Sequence, residues 1–155
     1  MEASRTNPDF LRVLNSVLAQ WTSPDFITSV AARVGVKLDP GSITALSILG
    51  AHGPQRPSSL ATRMVTGASN ISKIATRLQD AGLLRKLEDP HDSRASLLVL
   101  TEDGQRAATA LGDSGHLLLN DLLGGWSATD KENLLQLLSR FERETRRVAA
   151  KLKEN

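Results

Sequence analysis

Residues 68–104 read ASNISKIATRLQDAG (68–82), LLRKLEDPHDSRASLLVL (83–100) and TEDG (101–104), and the hydrophobic period changes twice within them. With Ile71 at zero and 100° per residue, Ile71, Ile74, Ala75 and Leu78 gather on one side of a helix from about Ala68 to Ala81. The other side holds Ser69, Lys73, Thr76 and Asp80, flanked by Asn70, Ser72 and Arg77. Gly82 stops the helix. The spacing then shortens: Leu83–Leu87 and Ala95–Leu100 read as two strands joined by a polar loop, Glu88–Ser93. Thr101-Glu102-Asp103 opens another helix, expected to run to about Leu123.

Working outward, Ser58–Val65 reads as a short helix with Leu60, Ala61 and Met64 inward, and Thr66-Gly67 turns the chain into residues 68–81. Asp39-Pro40 is a capping side chain followed by proline at a first helical position. Ile43, Leu46, Ser47 and Leu49 follow, and Gly50–Pro54 is expected to end that helix. Residues 8–36 carry apolar residues at helical spacing, with a kink or a new start at Ser23-Pro24. Gly112, Gly115, Gly124 and Gly125 read as helix breaks. Ser127-Ala128-Thr129-Asp130 has the form of a capping box before a last helix with Leu134, Leu135, Leu137, Leu138, Phe141 and Val148. The fold class is mainly α with a small β wing: a winged helix-turn-helix plus N- and C-terminal helices.

The 155 residues are 40% hydrophobic and 23% charged, a globular balance. No apolar run approaches a membrane span, and the absence of cysteine excludes disulfides and thiolate metal sites. A cytoplasmic protein is expected. Net charge is only +2, but its distribution is uneven. Arg56, Arg63, Lys73, Arg77, Arg85 and Lys86 fall between residues 56 and 86 against the single acid Asp80, a local +5 where an anionic partner would sit. Six bases and three acids between Arg140 and Asn155 alternate in sign, as on a solvated helix face.

In a helix-turn-helix the second helix turns polar groups to the major groove. Ser69, Asn70, Lys73 and Thr76 are the expected base readers, Asn suiting adenine and Lys guanine or phosphate. Ser58, Ser72, Arg77, Arg85 and Lys86 are expected at phosphates. In the wing, Arg94 suits the minor groove, while Asp92 would be repelled by phosphate and is expected to hold the tip by accepting hydrogen bonds. A helical hairpin with a merely solvated polar face gives the same periodicity.

Leu60-Ala61, Ile71-Ser72-Lys73, Arg77-Leu78, Ala81-Gly82-Leu83, Asp89-Pro90, Asp92-Ser93-Arg94 and Leu100-Thr101-Glu102-Asp103-Gly104 together resemble the MarR family of bacterial transcriptional regulators. Gly35-Val36-Lys37-Leu38 and Trp126-Ser127 fit the same pattern. The resemblance implies dimerisation helices at 1–36 and 102–155 around a DNA-binding lobe at 37–101, with two chains interlocking as a homodimer on a palindromic site of double-stranded DNA. Its recognition helices would lie about 34–36 Å apart. The chain departs from the pattern with Gly67 where Ser usually caps the recognition helix, and Ser93 where the wing is often basic.

The resemblance also implies a small lipophilic or aromatic effector that releases DNA. Trp21, Phe26, Ile43, Leu46 and His52 are the candidate lining residues, with Arg12 or Arg33 as a carboxylate partner. No cofactor is expected. His52, His91 and His116 are far apart and lack metal-ligand spacing. Gly67-Ala68-Ser69-Asn70-Ile71 lacks the second glycine of a nucleophile elbow, and no phosphate-binding glycine loop occurs, so no enzymatic activity is expected. The alternative is a winged-helix dimer that binds protein without specific DNA binding.

Overall fold

The computed structural model describes residues 3–154. Its order is α1 (Ala3–Trp21), α2 (Pro24–Ala32), α3 (Pro40–His52), α4 (Pro57–Met64), α5 (Ala68–Asp80), β1 (Leu84–Asp89), β2 (Asp92–Leu100), α6 (Glu102–Leu123) and α7 (Ala128–Lys153). The chain divides into two units, one ending at His116 and one beginning at Leu117.

The first unit is built around α3, α4, α5 and the hairpin. Leu46, Leu49, Leu60, Ile71, Ile74, Leu78 and Leu98 are fully buried together. Caps fix where its helices begin. Ser23 Oγ accepts from the Phe26 amide, so Ser23-Pro24 is a new helix start. Asp39 accepts from the Ser42 amide at 3.1 Å and from its hydroxyl at 2.6 Å, with Pro40 in the first turn.

The Gly50–Pro54 stretch ends α3 as expected, at Gly53, while two other glycines expected as breaks, Gly112 and Gly115, lie inside a helix. Gly50 is within α3, which continues to His52 and ends at Gly53 with φ 73°. A Cβ on Gly50 would come 2.7 Å from the Cβ of Ala108, so this glycine serves a close approach of α3 and α6. Gly112 and Gly115 are both carried inside the 22-residue α6. Each costs only about 1 kcal/mol in a helix, too little to interrupt one of that length.

The Leu100–Gly104 segment has a clear physical basis. The Thr101 hydroxyl donates to the Gly82 carbonyl at 2.7 Å and accepts from the Gly104 amide at 3.0 Å, tying the end of α5 to the start of α6. A Cβ on Gly104 would strike the Leu83 carbonyl oxygen, which itself accepts from the Thr101 amide.

In the second unit, α7 begins with the expected box: Ser127 Oγ accepts from the Asp130 amide at 3.0 Å and donates to its carboxylate at 2.6 Å. None of the described residues of α7 is buried, and Leu135, Leu137, Leu138, Phe141, Val148 and Leu152 are all exposed.

Two stability predictions follow from backbone geometry. Gly104→Ala must displace the Leu83 carbonyl and is expected to cost about 1–3 kcal/mol in a urea melt. Val65, between α4 and α5, is left-handed (φ 51°, ψ 50°) and 92% exposed. Such a conformation costs a β-branched residue about 1–2 kcal/mol, so Val65→Asn is expected to raise the thermal midpoint.

Candidate nucleic-acid interface

Burial of Ile71, Ile74, Ala75 and Leu78 fixes the rotation of α5 about its axis. Ser69, Asn70, Ser72, Lys73, Thr76 and Arg77 are consequently all exposed. The first turn of α5 is set by its own side chains: Asn70 Nδ2 donates to Thr66 Oγ1 at 3.0 Å, tethering Asn70 to the preceding turn. Thr76 donates its hydroxyl proton to the Ser72 carbonyl at 3.0 Å, which leaves the oxygen free only to accept. Gly67 provides no side-chain cap to α5. Ser58 is exposed near the start of α4, and Arg85 and Lys86 are exposed on β1.

The hairpin extends further than the hydropathy pattern indicates. The strands run through Asp89 and from Asp92, leaving Pro90-His91 as the tip instead of the six-residue loop expected. Leu84 pairs with Leu100 and Glu88 with Ser96, but Asp89 pairs with Asp92. Ser93, Arg94 and Ala95 therefore have no partner on β1 and bulge from β2. Two aspartates shape this end. Asp89 Oδ1 accepts from the His91 amide at 2.9 Å, and Asp92 Oδ1 accepts from the Arg94 amide at 3.1 Å. Asp92 thus accepts a loop amide at the tip, and Arg94 stands exposed on the bulge.

The sequence tally of basic residues misses two pairings. Arg56 Nε donates to Asp89 Oδ2 at 2.6 Å, joining the start of α4 to the wing, and the Asp89 side chain is 5% exposed. Arg77 Nη2 lies 3.3 Å from Asp39 Oδ1. Both acids fall outside the window that gave the local +5, so two of its six cations have a carboxylate beside them. A buried acid 33 residues from its arginine leaves no trace in local spacing. The Asp89 carboxyl is held below the usual range chiefly by the His91 amide, which with Arg56 outweighs the raising effect of burial. Partial burial likewise raises Asp39, but the Ser42 hydroxyl and amide, with Arg77, bring it lower.

The candidate effector residues do not form one cavity. Trp21 and Phe26 meet with ring centroids 6.2 Å apart, and His52 is exposed at the end of α3. Ile43 and Leu46 point into the lobe core, 5% and 0% exposed, because their face of α3 packs within the buried cluster. They have no surface to offer a ligand. A groove of about 590 Å³ lies instead along Thr28, Ser29, Ala32, Val36, Lys37, Leu38 and Asp39. Among the described residues no three His, Asp or Glu side chains form a metal-ligand set. No described helix is long and apolar enough to cross a membrane.

Against known proteins, residues 38–96, from the start of α3 to the middle of β2, match the MarR family profile. These residues form a winged-helix lobe similar to that of the MarR family. An uncharacterized HTH-type transcriptional regulator of Bacillus subtilis, YfiV, is 28% identical over 110 residues, covering 70% of this chain and 69% of YfiV. The transcriptional repressor MprA of Escherichia coli is 31% identical over 91 residues, 56% of this chain and 52% of MprA. The MarR fold also extends beyond the matched segment. A MarR family protein from Bacillus stearothermophilus superposes with a TM-score of 0.77 at 18% identity, over 92% of this chain and 96% of that one.

Asp89 gives the wing a defined acid response. Its folded-state pKa lies below the unfolded value of about 3.9. The stabilisation it provides is therefore complete above that value and is lost as pH falls through the lower, folded-state pKa. Hydrogen exchange of the His91 amide is expected to change little between pH 7 and 5, once corrected for intrinsic rates. Asp89→Ala, which deletes the acceptor, should remove protection there throughout that range.

Proposed function

We propose that this chain is a DNA-binding transcriptional regulator, a cytoplasmic repressor that acts as a homodimer on a palindromic operator. The observation that carries this reading is the division of α5 into two faces. One face is fully engaged in the core, and the other presents exposed short hydrogen-bonding groups and cations. Ser69, Asn70, Lys73 and Thr76 read base edges, while Ser58, Ser72, Arg77, Arg85 and Lys86 meet phosphates. Arg94 reaches the minor groove from a bulge that Asp92 shapes.

Dimerisation through residues 1–36 and 102–155, flanking a DNA-binding lobe at 37–101, is supported by exposed apolar surface. Phe10, Leu11, Val17, Leu18 and Trp21 of α1 are exposed, as are the apolar residues of α7. Patches of that kind mark association surfaces. In this reading a small lipophilic or aromatic effector lowers DNA affinity by preferring the state that does not fit the operator, and the Trp21–Phe26 pair supplies its aromatic contact.

The test is a mobility shift on the protein's own upstream intergenic DNA at two salt concentrations, with random competitor. A discrete, salt-sensitive and competitor-resistant complex is expected. Lys73→Ala and Asn70→Ala should each cost the specific complex about 1–3 kcal/mol, while Arg94→Ala weakens all sequences more evenly. Equal losses on specific and random DNA for Asn70→Ala would remove it as a base reader. No shift at low salt, with the dimer intact, would replace this reading with a protein-binding module.

A further inference from the structure

Arg77 and Asn70 lie on the same flank of α5, two helical turns apart, and that flank is the one Asp39 touches from the start of α3. We propose that Asp39 is a positioning residue for DNA, holding the Arg77 guanidinium so that its remaining nitrogens meet a backbone phosphate.

The proposal rests on the reading of α5 as the DNA-binding helix, and three observations support it. Asp39 is itself immobilised: both carboxylate oxygens accept from Ser42, whose side chain is fully buried. The contact with Arg77 is made through Nη2, 3.3 Å from Asp39 Oδ1, longer than the 2.6 Å that Asp39 keeps to the Ser42 hydroxyl. Arg77 nevertheless keeps a half-exposed side chain.

An acid that competed with phosphate for Arg77 would be expected to take the fork in two parallel bonds, the geometry that satisfies guanidinium and carboxylate together. Asp39 instead has both oxygens accepting from Ser42 and meets the guanidinium at 3.3 Å. Such a contact contributes little to stability at an exposed position. It does restrict a long side chain that would otherwise lose rotamer freedom on meeting DNA. The low pKa of Asp39 keeps it ionised at neutral pH, so the contact is present under binding conditions.

The test compares wild type, Asp39→Asn, Arg77→Gln and the double variant of the full chain by fluorescence anisotropy. The probe is a labelled duplex from the upstream intergenic region, titrated across a salt series. Asparagine caps a helix as well as aspartate does, and Asp39→Ser provides a second variant that keeps a cap but cannot reach Arg77. Thermal melts select the variants that fold like wild type. Both Asp39 variants are expected to bind about three- to tenfold more weakly, with a salt slope lower by about 0.9, equivalent to one phosphate. The double variant should bind no worse than Arg77→Gln alone. Tighter or unchanged binding by Asp39→Asn, an unchanged slope, or losses that add in the double variant would overturn the proposal. A wild-type protein with no salt-sensitive DNA binding would overturn the reading of α5 as well.

Discussion

Four side chains of α5 have to be shielded from water, and the lobe is arranged around that requirement. Ile71, Ile74, Ala75 and Leu78 occupy a stripe that fits against Leu46, Leu49 and Leu60 in only one rotation of the helix. Turning α5 by one residue would expose an isoleucine and bury Ser72 or Lys73, with no partner for either in the core. The exposed face is therefore specified by the buried one. Wherever Lys73 and Thr76 point, they do so because Leu78 and Ile74 cannot point there.

The other contacts keep this arrangement in register. Thr101 joins the end of α5 to the start of α6, and the missing side chain of Gly104 lets the Leu83 carbonyl lie against that junction. Gln55 and Leu98 exchange backbone hydrogen bonds, at 3.2 Å and 2.8 Å, so the segment before α4 is laced to β2. Arg56 adds a charged bond to Asp89 one residue further on. The helix hairpin and the wing are thereby connected at both ends of α4 and α5. The wing is fixed by tertiary bonds and not by its two strands alone, which would be marginal in isolation.

Much of this was legible in the sequence, for identifiable reasons. The apolar stripe of α5, the caps at Ser23, Asp39 and Ser127, and the change of period at Leu83 are all local, and each appears where the residues indicate. The extent of the hairpin was not legible. Asp92 is found as expected, accepting an amide at the tip, but Asp89 and Pro90 read as turn formers, and nothing local says that the strands continue beside them. The packing of Gly50 against α6 depends on Ala108, 58 positions away, and the pairing of Arg56 depends on a buried acid in the wing. Ile43 and Leu46 show the same limit from the other side. Apolar spacing identifies a residue that avoids water but not whether a ligand or the protein interior covers it.

β1 carries one further consequence. Among the described residues β2 is its one strand partner, so its far edge is not covered by a strand and is of the kind that invites a strand from another molecule. Arg85, Lys86 and Glu88 all stand exposed on that strand. If two copies aligned edge to edge, charged side chains would be crowded together and water would have to be stripped from each. The cations proposed to meet phosphate therefore also guard the strand against self-association. Replacing Arg85 and Lys86 with apolar residues would bare a template for aggregation, a loss of solubility separate from any loss of DNA affinity.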